Sequence, residues 1–342
     1  MKKKIINSLK FLVFISLGIF IFWKVYKGQD VNELWSSLHE VNFLWVYVSI
    51  FFGIFSHLAR SARWLLLARS LGYRPSPYNS FFAVMMTYFA NLAFPRMGEV
   101  TRCAIIKQYE KIPLSTALGT IITERLIDLI MLAGITLIAV GVQFNVFELF
   151  VTENPAISAN VKSLFDSGII IGAIVVSGVV AIVLYFTYRN RLNKFSLVRK
   201  FNEKVTALKD GLLSVRNVEN KWLFGVYTLT IWIFYFGMLY ICFFSFPFMD
   251  SLGPLAALVL FVLGSYGMVA PVQGGIGAYH FMVISGLVIY GVADSDARLF
   301  ALIAWGSQTI MIIGMGILSY VALPIYNGYL AKKNKLETDV VN

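Results

Sequence analysis

The sequence predicts an all-α polytopic membrane protein with about six full spans and two broken or re-entrant helical hairpins, eight to nine apolar segments in all. Of its 342 residues, 58% are hydrophobic and 14% are charged, whereas soluble domains carry roughly 25% charged residues. Apolar runs close to the length that crosses a bilayer recur along the whole chain. We therefore expect a single integral membrane domain over residues 1–342.

The composition and the motif content exclude several other classes. The net charge of +11 comes from Lys and Arg between the apolar runs, which suits an anionic cytoplasmic lipid face and predicts no nucleic-acid partner. Cys103 and Cys242 lie far apart and have no neighbours at metal-ligand spacing, so we expect no disulfide and no metal. No P-loop, zincin or nucleophile-elbow motif occurs, so we expect no enzymatic activity and no cofactor.

The distribution of basic residues predicts the orientation of the first spans. Residues 9–26 follow three lysines and end without a cleavage site, which indicates an uncleaved anchor helix. The next loop, 27–40, is acidic, and the run 43–59 ends at a segment, 60–74, with four arginines. Since cytoplasmic loops are enriched in Lys and Arg, the N-terminus and 60–74 are expected inside, and 27–40 outside.

The same rule places the rest of the chain. Further full spans are expected at about 117–140, 167–188, 222–246 and 299–320. A basic loop at about 189–221 and a tail at 325–342 are then cytoplasmic, like the N-terminus.

Two interruptions do not fit full spans. The run 81–94 stops at Pro95 and basic residues follow, so a full crossing would invert every later loop; a re-entrant hairpin over about 78–112 avoids this. At about 252–291 the charges fit either two short spans or a second re-entrant hairpin. Both interruptions contain Pro-x-x-Gly and enter from opposite sides, which indicates an inverted repeat; chance is the alternative, since Pro and Gly are frequent in membrane helices.

Ionisable residues near the first turn are the leading candidates for substrate binding, because charge inside a bilayer is costly. They are Arg96, Glu99 and Arg102, and the neighbouring Asn91 and Gly98 are assigned to substrate binding with them. A helix that begins inside the protein presents free N–H groups and a favourable dipole to an anion, and arginine forks suit phosphate. The alternative is internal pairing of Glu99 with Arg102.

Three further groups accompany this cluster. Glu124 and Asp128 share a helix face, and Arg125 reaches Asp128 three residues away. A structural role is predicted for them, namely anchoring the arginine of the first hairpin; a proton relay is the alternative. Arg60 and Arg63, beside Trp64 and His57, predict an interfacial anchor, with lipid head-group contact as the alternative. In the second hairpin, substrate binding is assigned to a set whose glycines permit positive φ or close approach: Gly274, Gly275, Gly277 and His280.

Taken in order, these motifs resemble a known family. The set is Arg60-Ser61-Ala62-Arg63-Trp64, Asn91 to Arg102, Glu124-Arg125-x-x-Asp128 and Pro271 to Gly277. It is similar to the flippase-like membrane domain of lysylphosphatidylglycerol synthases and to its stand-alone bacterial and archaeal relatives. His280 stands where family members often carry Glu. The aminoacyl-transferring domain of the synthases is absent from this sequence, so lipid aminoacylation is not implied.

The resemblance implies movement or binding of a membrane lipid, either a phospholipid or a polyisoprenyl-phosphate lipid, in a bacterial or archaeal plasma membrane. The leading hypothesis is a lipid translocase or lipid-binding transport protein. The alternatives are a non-transporting partner that presents lipid to an envelope enzyme, a small-solute transporter and a membrane enzyme. A homo-oligomer or an envelope-enzyme partner is left open.

Overall fold

The described part of the protein is built from α-helices. The computed structural model describes residues 36–94, 97–154 and 214–341, together with Phe20, Phe22, Trp23, Tyr26 and Lys27. In chain order the helices are α1 Phe43–Arg69, α2 Pro77–Ala93, α3 Gly98–Glu110, α4 Leu114–Val142, α5 Phe144–Glu153, α6 Lys221–Phe243, α7 Pro254–Val269, α8 Ala278–Ile289 and α9 Asp294–Val341. These residues contain no strand, and the predicted all-α fold is confirmed.

Local sequence explains where several helices begin and end. The side chains of Asn42 and Asn220 accept backbone N–H bonds at the starts of α1 and α6, at 3.1 and 2.8 Å. Helices α2 and α7 begin with proline, whose missing N–H costs nothing in the first turn. Helix α3 ends at Lys111, which adopts a left-handed conformation with φ of 59°.

Four helices are long and apolar enough to cross a bilayer: α1, α4, α6 and the part of α9 up to Lys333. Large apolar side chains cover their outer faces; Ile130 and Leu137 on α4, for example, are 70% and 74% exposed. Such surfaces need a lipid environment, so the protein is a multi-pass membrane protein. The predicted span at 167–188, nearly all of the run 9–26 and most of the basic loop 189–221 lie outside the described residues.

The two predicted hairpins correspond to pairs of short helices. Helices α2 and α3 have 17 and 13 residues, and α7 and α8 have 16 and 12. All four are shorter than the roughly 20 residues of a full span, so the lengths of the second pair fit both a re-entrant hairpin and two short spans. The matching leg lengths agree with an inverted repeat. The depth of both hairpins in the bilayer stays a prediction.

The tips of the two hairpins meet. A Cβ atom added to Gly274, in the turn between α7 and α8, would lie 2.6 Å from a methyl carbon of Leu92 near the end of α2. The indole nitrogen of Trp305 on α9 donates to the Gly274 carbonyl at 2.7 Å and fixes the same turn. Broken helices that meet in this way are the arrangement found in transporters built from inverted repeats.

Two helix boundaries differ from the sequence prediction. Helix α1 continues through Arg60 and Arg63 to Arg69, so the predicted loop at 60–74 is wrong for its first ten residues. Both arginines are paired with acids inside the protein and do not need water at a helix end. Helix α9 begins at Asp294 and runs beyond the predicted span 299–320.

The predicted orientation leads to a labelling experiment. Lys107 on α3 and Glu148 on α5 are both exposed, and the charge pattern puts the first inside and the second outside. In intact cells, an impermeant thiol reagent should therefore label Glu148→Cys and leave Lys107→Cys unlabelled. The native thiols, Cys103 and Cys242, are buried and give little background. Strong external labelling of Lys107→Cys would overturn the first hairpin.

Candidate functional site

An ion pair joins the first hairpin to α4. Arg102 on α3 donates through Nη1 to Glu124 Oε2 at 2.6 Å, and both side chains are 1% exposed. The Arg102 guanidinium also lies 5.3 Å from the ring centroid of Trp64. The predicted contact between the hairpin arginine and the acidic cluster is therefore present. Arg102 thus has a structural partner in Glu124, and its assignment to substrate binding stays a prediction.

Two arginines of α1 extend this ion-pair network. Arg60 Nη1 lies 2.5 Å from Asp128 Oδ2, and Arg63 Nη2 lies 2.9 Å from Asp128 Oδ1. Arg63 also lies 3.7 Å from Glu124. The interpretation of these arginines as interfacial anchors is wrong, since both side chains are buried. Trp64 is buried too, and its indole nitrogen donates to Thr120 rather than facing a membrane interface.

The network reaches the surface beside the first hairpin. Arg125 Nε lies 3.5 Å from Glu99 Oε1, and these side chains are 38% and 26% exposed. Arg125 also lies 3.9 Å from Asp128. The alternative in which Glu99 pairs with Arg102 is wrong, because Glu99 faces Arg125 while Arg102 faces the interior.

Positive charge is in excess within the described network. It contains four arginines and three carboxylates: Arg60, Arg63, Arg102 and Arg125 against Glu99, Glu124 and Asp128. Several donors, including Arg102 Nη2 and the Nε atoms of Arg60 and Arg63, have no hydrogen-bond partner among the described residues. A buried charge without compensation is costly, so this part of the chain favours an added anion.

Asn91 and Gly98 form the turn of the first hairpin. The Asn91 side-chain oxygen accepts the Gly98 N–H at 2.7 Å, so this N–H is not free for a ligand and Asn91 caps the turn; the assignment of Asn91 to substrate binding stays a prediction. A Cβ on Gly98 would lie 2.1 Å from the Thr87 carbonyl oxygen. Glycine is needed here for close packing of α3 on α2. The placement of Arg96 lies outside the described residues.

The glycine turn of the second hairpin combines positive φ angles with hydrogen bonds to side chains. Gly274, Gly275 and Gly277 have φ values of 54°, 73° and 77°, and residues other than glycine rarely adopt such angles. The Gly277 N–H donates to His280 Nδ1 at 3.3 Å, and His280 is fully buried against aromatic rings that include Trp305. The positive φ expected for this motif is present, and His280 caps α8; its assignment to substrate binding stays a prediction.

The surface around Arg125 and Glu99 is apolar. Val100 on α3 and Leu126 and Leu129 on α4 are 53%, 50% and 60% exposed. Phe94 and Met97, on either side of the hairpin turn, are each 45% exposed. A charged pair therefore opens onto a surface that would contact hydrocarbon, and this combination suits an amphipathic ligand.

A comparison with known protein families identifies the family of this chain. A family model described as the lysylphosphatidylglycerol synthase TM region matches residues 8–316. The chain belongs to this family. The match to the lysylphosphatidylglycerol synthase TM region includes both hairpins and all residues of the ion-pair network.

Two curated relatives share part of this region. A UPF0104 membrane protein of Methanocaldococcus jannaschii is 31% identical over 144 residues, which is 41% of this chain and 42% of the relative. A protein of Haloferax volcanii named glycosyltransferase AglD is 28% identical over 107 residues, which is 31% of this chain and 17% of that protein. The matches thus span less than half of either relative. No solved structure matches the chain.

Sequence reasoning missed two tyrosines in the interior. The hydroxyls of Tyr88 on α2 and Tyr235 on α6 lie 3.2 Å apart, beside the ring of His57. Tyrosines in apolar runs are common at membrane surfaces, and no local pattern separates a partly buried pair from lipid-facing rings. The proximity of Tyr88 and Tyr235 arises from tertiary packing.

Proposed function

We propose that the protein moves lipids with a phosphate-bearing anionic head group between membrane leaflets, and that Arg125 is the first contact of the head group. The observation that carries this proposal is the surface opening of an arginine-rich network that has one more arginine than carboxylate among the described residues. Family membership supports it, because the family is defined by the membrane region of a lipid synthase.

The charge and the apolar surroundings each limit the substrate class. Phosphate is bound well by guanidinium forks, and an anion at Arg125 balances the excess positive charge. Arg125 and Glu99 are surrounded by exposed Val100, Leu126 and Leu129. A small polar solute gains nothing from such a surface, whereas the acyl or isoprenoid chains of a lipid pack on it.

Glu99 occupies the position expected for a competing anion. Its distance to Arg125, 3.5 Å, is longer than the shortest ion-pair distance of each of Arg60, Arg63 and Arg102, and its Oε2 atom has no hydrogen-bond partner in the described structure. We therefore expect a lipid phosphate to displace Glu99 from Arg125. Because Glu99 belongs to the first hairpin, this exchange would break the ion pair between α3 of that hairpin and Arg125 on α4.

Translocation can be measured in proteoliposomes that carry fluorescent phosphatidylglycerol in one leaflet. The intact protein should move the labelled head group across the bilayer, and Arg125→Gln should slow movement about tenfold, as expected for loss of a charge-assisted hydrogen bond. Glu99→Gln should instead tighten binding of the anionic lipid. Arg298→Gln is the matched control, because Arg298 pairs with Asp294 at the start of α9, outside the network.

The same vesicles separate the proposal from its main rival. Binding of the lipid without movement would support a protein that presents lipid to an envelope enzyme. Equal rates for Arg125→Gln, Arg298→Gln and the unmodified protein would contradict the assigned site.

The proposed function includes no chemical step on the lipid. Purified protein supplied with lysyl- or alanyl-tRNA and phosphatidylglycerol should form no aminoacyl lipid, because the sequence contains no recognisable pair of nucleophile and base. Thin-layer chromatography with a radiolabelled amino acid tests this, and an aminoacyl-lipid product would overturn it.

A further inference from the structure

His57 is a buried polar side chain that makes no hydrogen bond through its ring nitrogens to the described residues. It lies near the middle of α1, is 1% exposed, and neither ring nitrogen has a hydrogen-bond partner among the described residues. A neutral imidazole always presents one N–H donor and one acceptor. Leaving buried polar groups unpaired is costly, and such groups in native structures call for an explanation.

Two hydroxyls and a guanidinium converge on the same place. The ring centroid of His57 lies 4.4 Å from the ring centroid of Tyr88 and 5.9 Å from that of Tyr235. The two hydroxyls meet each other at 3.2 Å, which uses only one of their two protons. The Arg60 guanidinium lies 5.7 Å from the Tyr235 ring centroid, and its Nε atom has no partner in the part of the chain that the structure describes.

We propose that His57, Tyr88, Tyr235 and Arg60 form an oxyanion site in the protein interior, which binds a phosphate group when the first hairpin moves away from α1. The four side chains come from α1, α2 and α6 and offer mainly donors. They stand at the inner edge of the network with excess positive charge, since Arg60 is also the partner of Asp128. A phosphate oxygen supplies the acceptors that these donors lack.

The surroundings explain why this site matters for transport. Tyr88 and the apolar residues Ile54, Phe89 and Met315 pack against the same buried cluster, which includes Met85 and Met311. A head group crossing this region without hydrogen bonds would be costly to desolvate. The inference rests on the proposed function in so far as the phosphate belongs to a transported lipid. It adds a second binding site for the head group, deeper in the protein than Arg125.

Access to the site requires movement of one element. The rings of His57 and Tyr88 are in contact in this structure, and Tyr88 belongs to α2, the first leg of the first hairpin. A ligand shifts an equilibrium only through tighter binding to one state. The unpaired N–H of His57 supplies that difference, because a phosphate that has entered offers an oxygen to accept its hydrogen bond.

The chain contains three histidines, His39, His57 and His280, so ring-nitrogen NMR of the full-length protein with labelled histidine resolves the site directly. His39→Gln and His280→Gln each remove one set of signals, so the set that both variants keep belongs to His57. Dihexanoyl phosphatidic acid should shift the His57 signals, and dihexanoylglycerol, which lacks phosphate, should not. His39, exposed at the surface, is the internal reference.

Tyr235→Phe keeps the ring and removes one hydroxyl, so it should weaken the phosphatidic acid affinity read from His57 about tenfold. Inorganic phosphate is the second probe: a shift with both probes supports a general phosphate site, and a shift with the lipid alone supports a head-group site. An unmoved His57 signal with both probes, or an unchanged affinity in Tyr235→Phe, overturns the inference. Lipid translocation in vesicles without a His57 shift overturns this site alone, whereas a shift without translocation supports the site and overturns the proposed function.

Discussion

Replacing Gly98 by alanine is expected to disrupt the first hairpin. The added Cβ would lie 2.1 Å from the backbone oxygen of Thr87 and 2.8 Å from the side-chain amide carbon of Asn91. A backbone carbonyl cannot rotate away as a flexible side chain can, so α3 must move off α2. We expect a loss of about 3 kcal/mol or more in stability, measured as a lower thermal unfolding midpoint of the purified protein in detergent.

Gly134→Ala is the matched control for this change. Gly134 lies within α4, and a Cβ there would meet nothing within 4 Å. Alanine is the better helix former by about 1 kcal/mol, so this variant should be as stable as the unmodified protein or slightly more stable. Equal unfolding midpoints for Gly98→Ala and Gly134→Ala would show that the hairpin legs are not packed as described.

Removing Arg102 is expected to have the second large effect. Arg102→Gln leaves Glu124 buried with Arg63, at 3.7 Å, as its nearest remaining cation. Removing one partner of a buried ion pair typically lowers the stability by about 3–5 kcal/mol, because the other charge stays buried without compensation. The double change Arg102→Gln with Glu124→Gln should recover most of this loss. Thermal unfolding of the single and double variants measures the coupling.

The exposed pair at the start of α9 provides the comparison. Arg298 Nε lies 2.6 Å from Asp294 Oδ2, but the Asp294 side chain is 57% exposed. Solvent screens such pairs, so Arg298→Gln should change stability by no more than about 1 kcal/mol. If Arg102→Gln destabilised the protein no more than Arg298→Gln does, Arg102 would not be part of a buried network.

Patterns that act over the length of a helix could be predicted from the sequence. Apolar runs and the balance of Lys and Arg predicted α1, α4, α6 and α9, and the Pro-x-x-Gly segments predicted where the short helices break. The anchoring of the hairpin arginine by the cluster on α4 was also predictable. An arginine in an apolar helix has few partners available, and the acids at 124 and 128 were the nearest candidates in the following span.

Contacts that depend on side-chain direction could not be predicted. Glu99 and Arg102 are three residues apart, a spacing that permits pairing, yet about 60° separates their directions on the helix. That angle is enough for Glu99 to face Arg125 and for Arg102 to face Glu124. Arg60 and Arg63 were placed at a helix end because the sequence does not show that Asp128, more than sixty residues later, lies beside them.

The central claim is that the network binds a lipid phosphate through Arg125. Native mass spectrometry of lipids retained by the purified protein tests it most directly, with Arg125→Gln and Arg298→Gln purified from the same membranes. The account predicts that the unmodified protein and Arg298→Gln retain anionic phospholipid or polyisoprenyl phosphate, and that Arg125→Gln largely loses it. Retention of only neutral lipids, or equal retention of anionic lipid by all three proteins, would contradict the account.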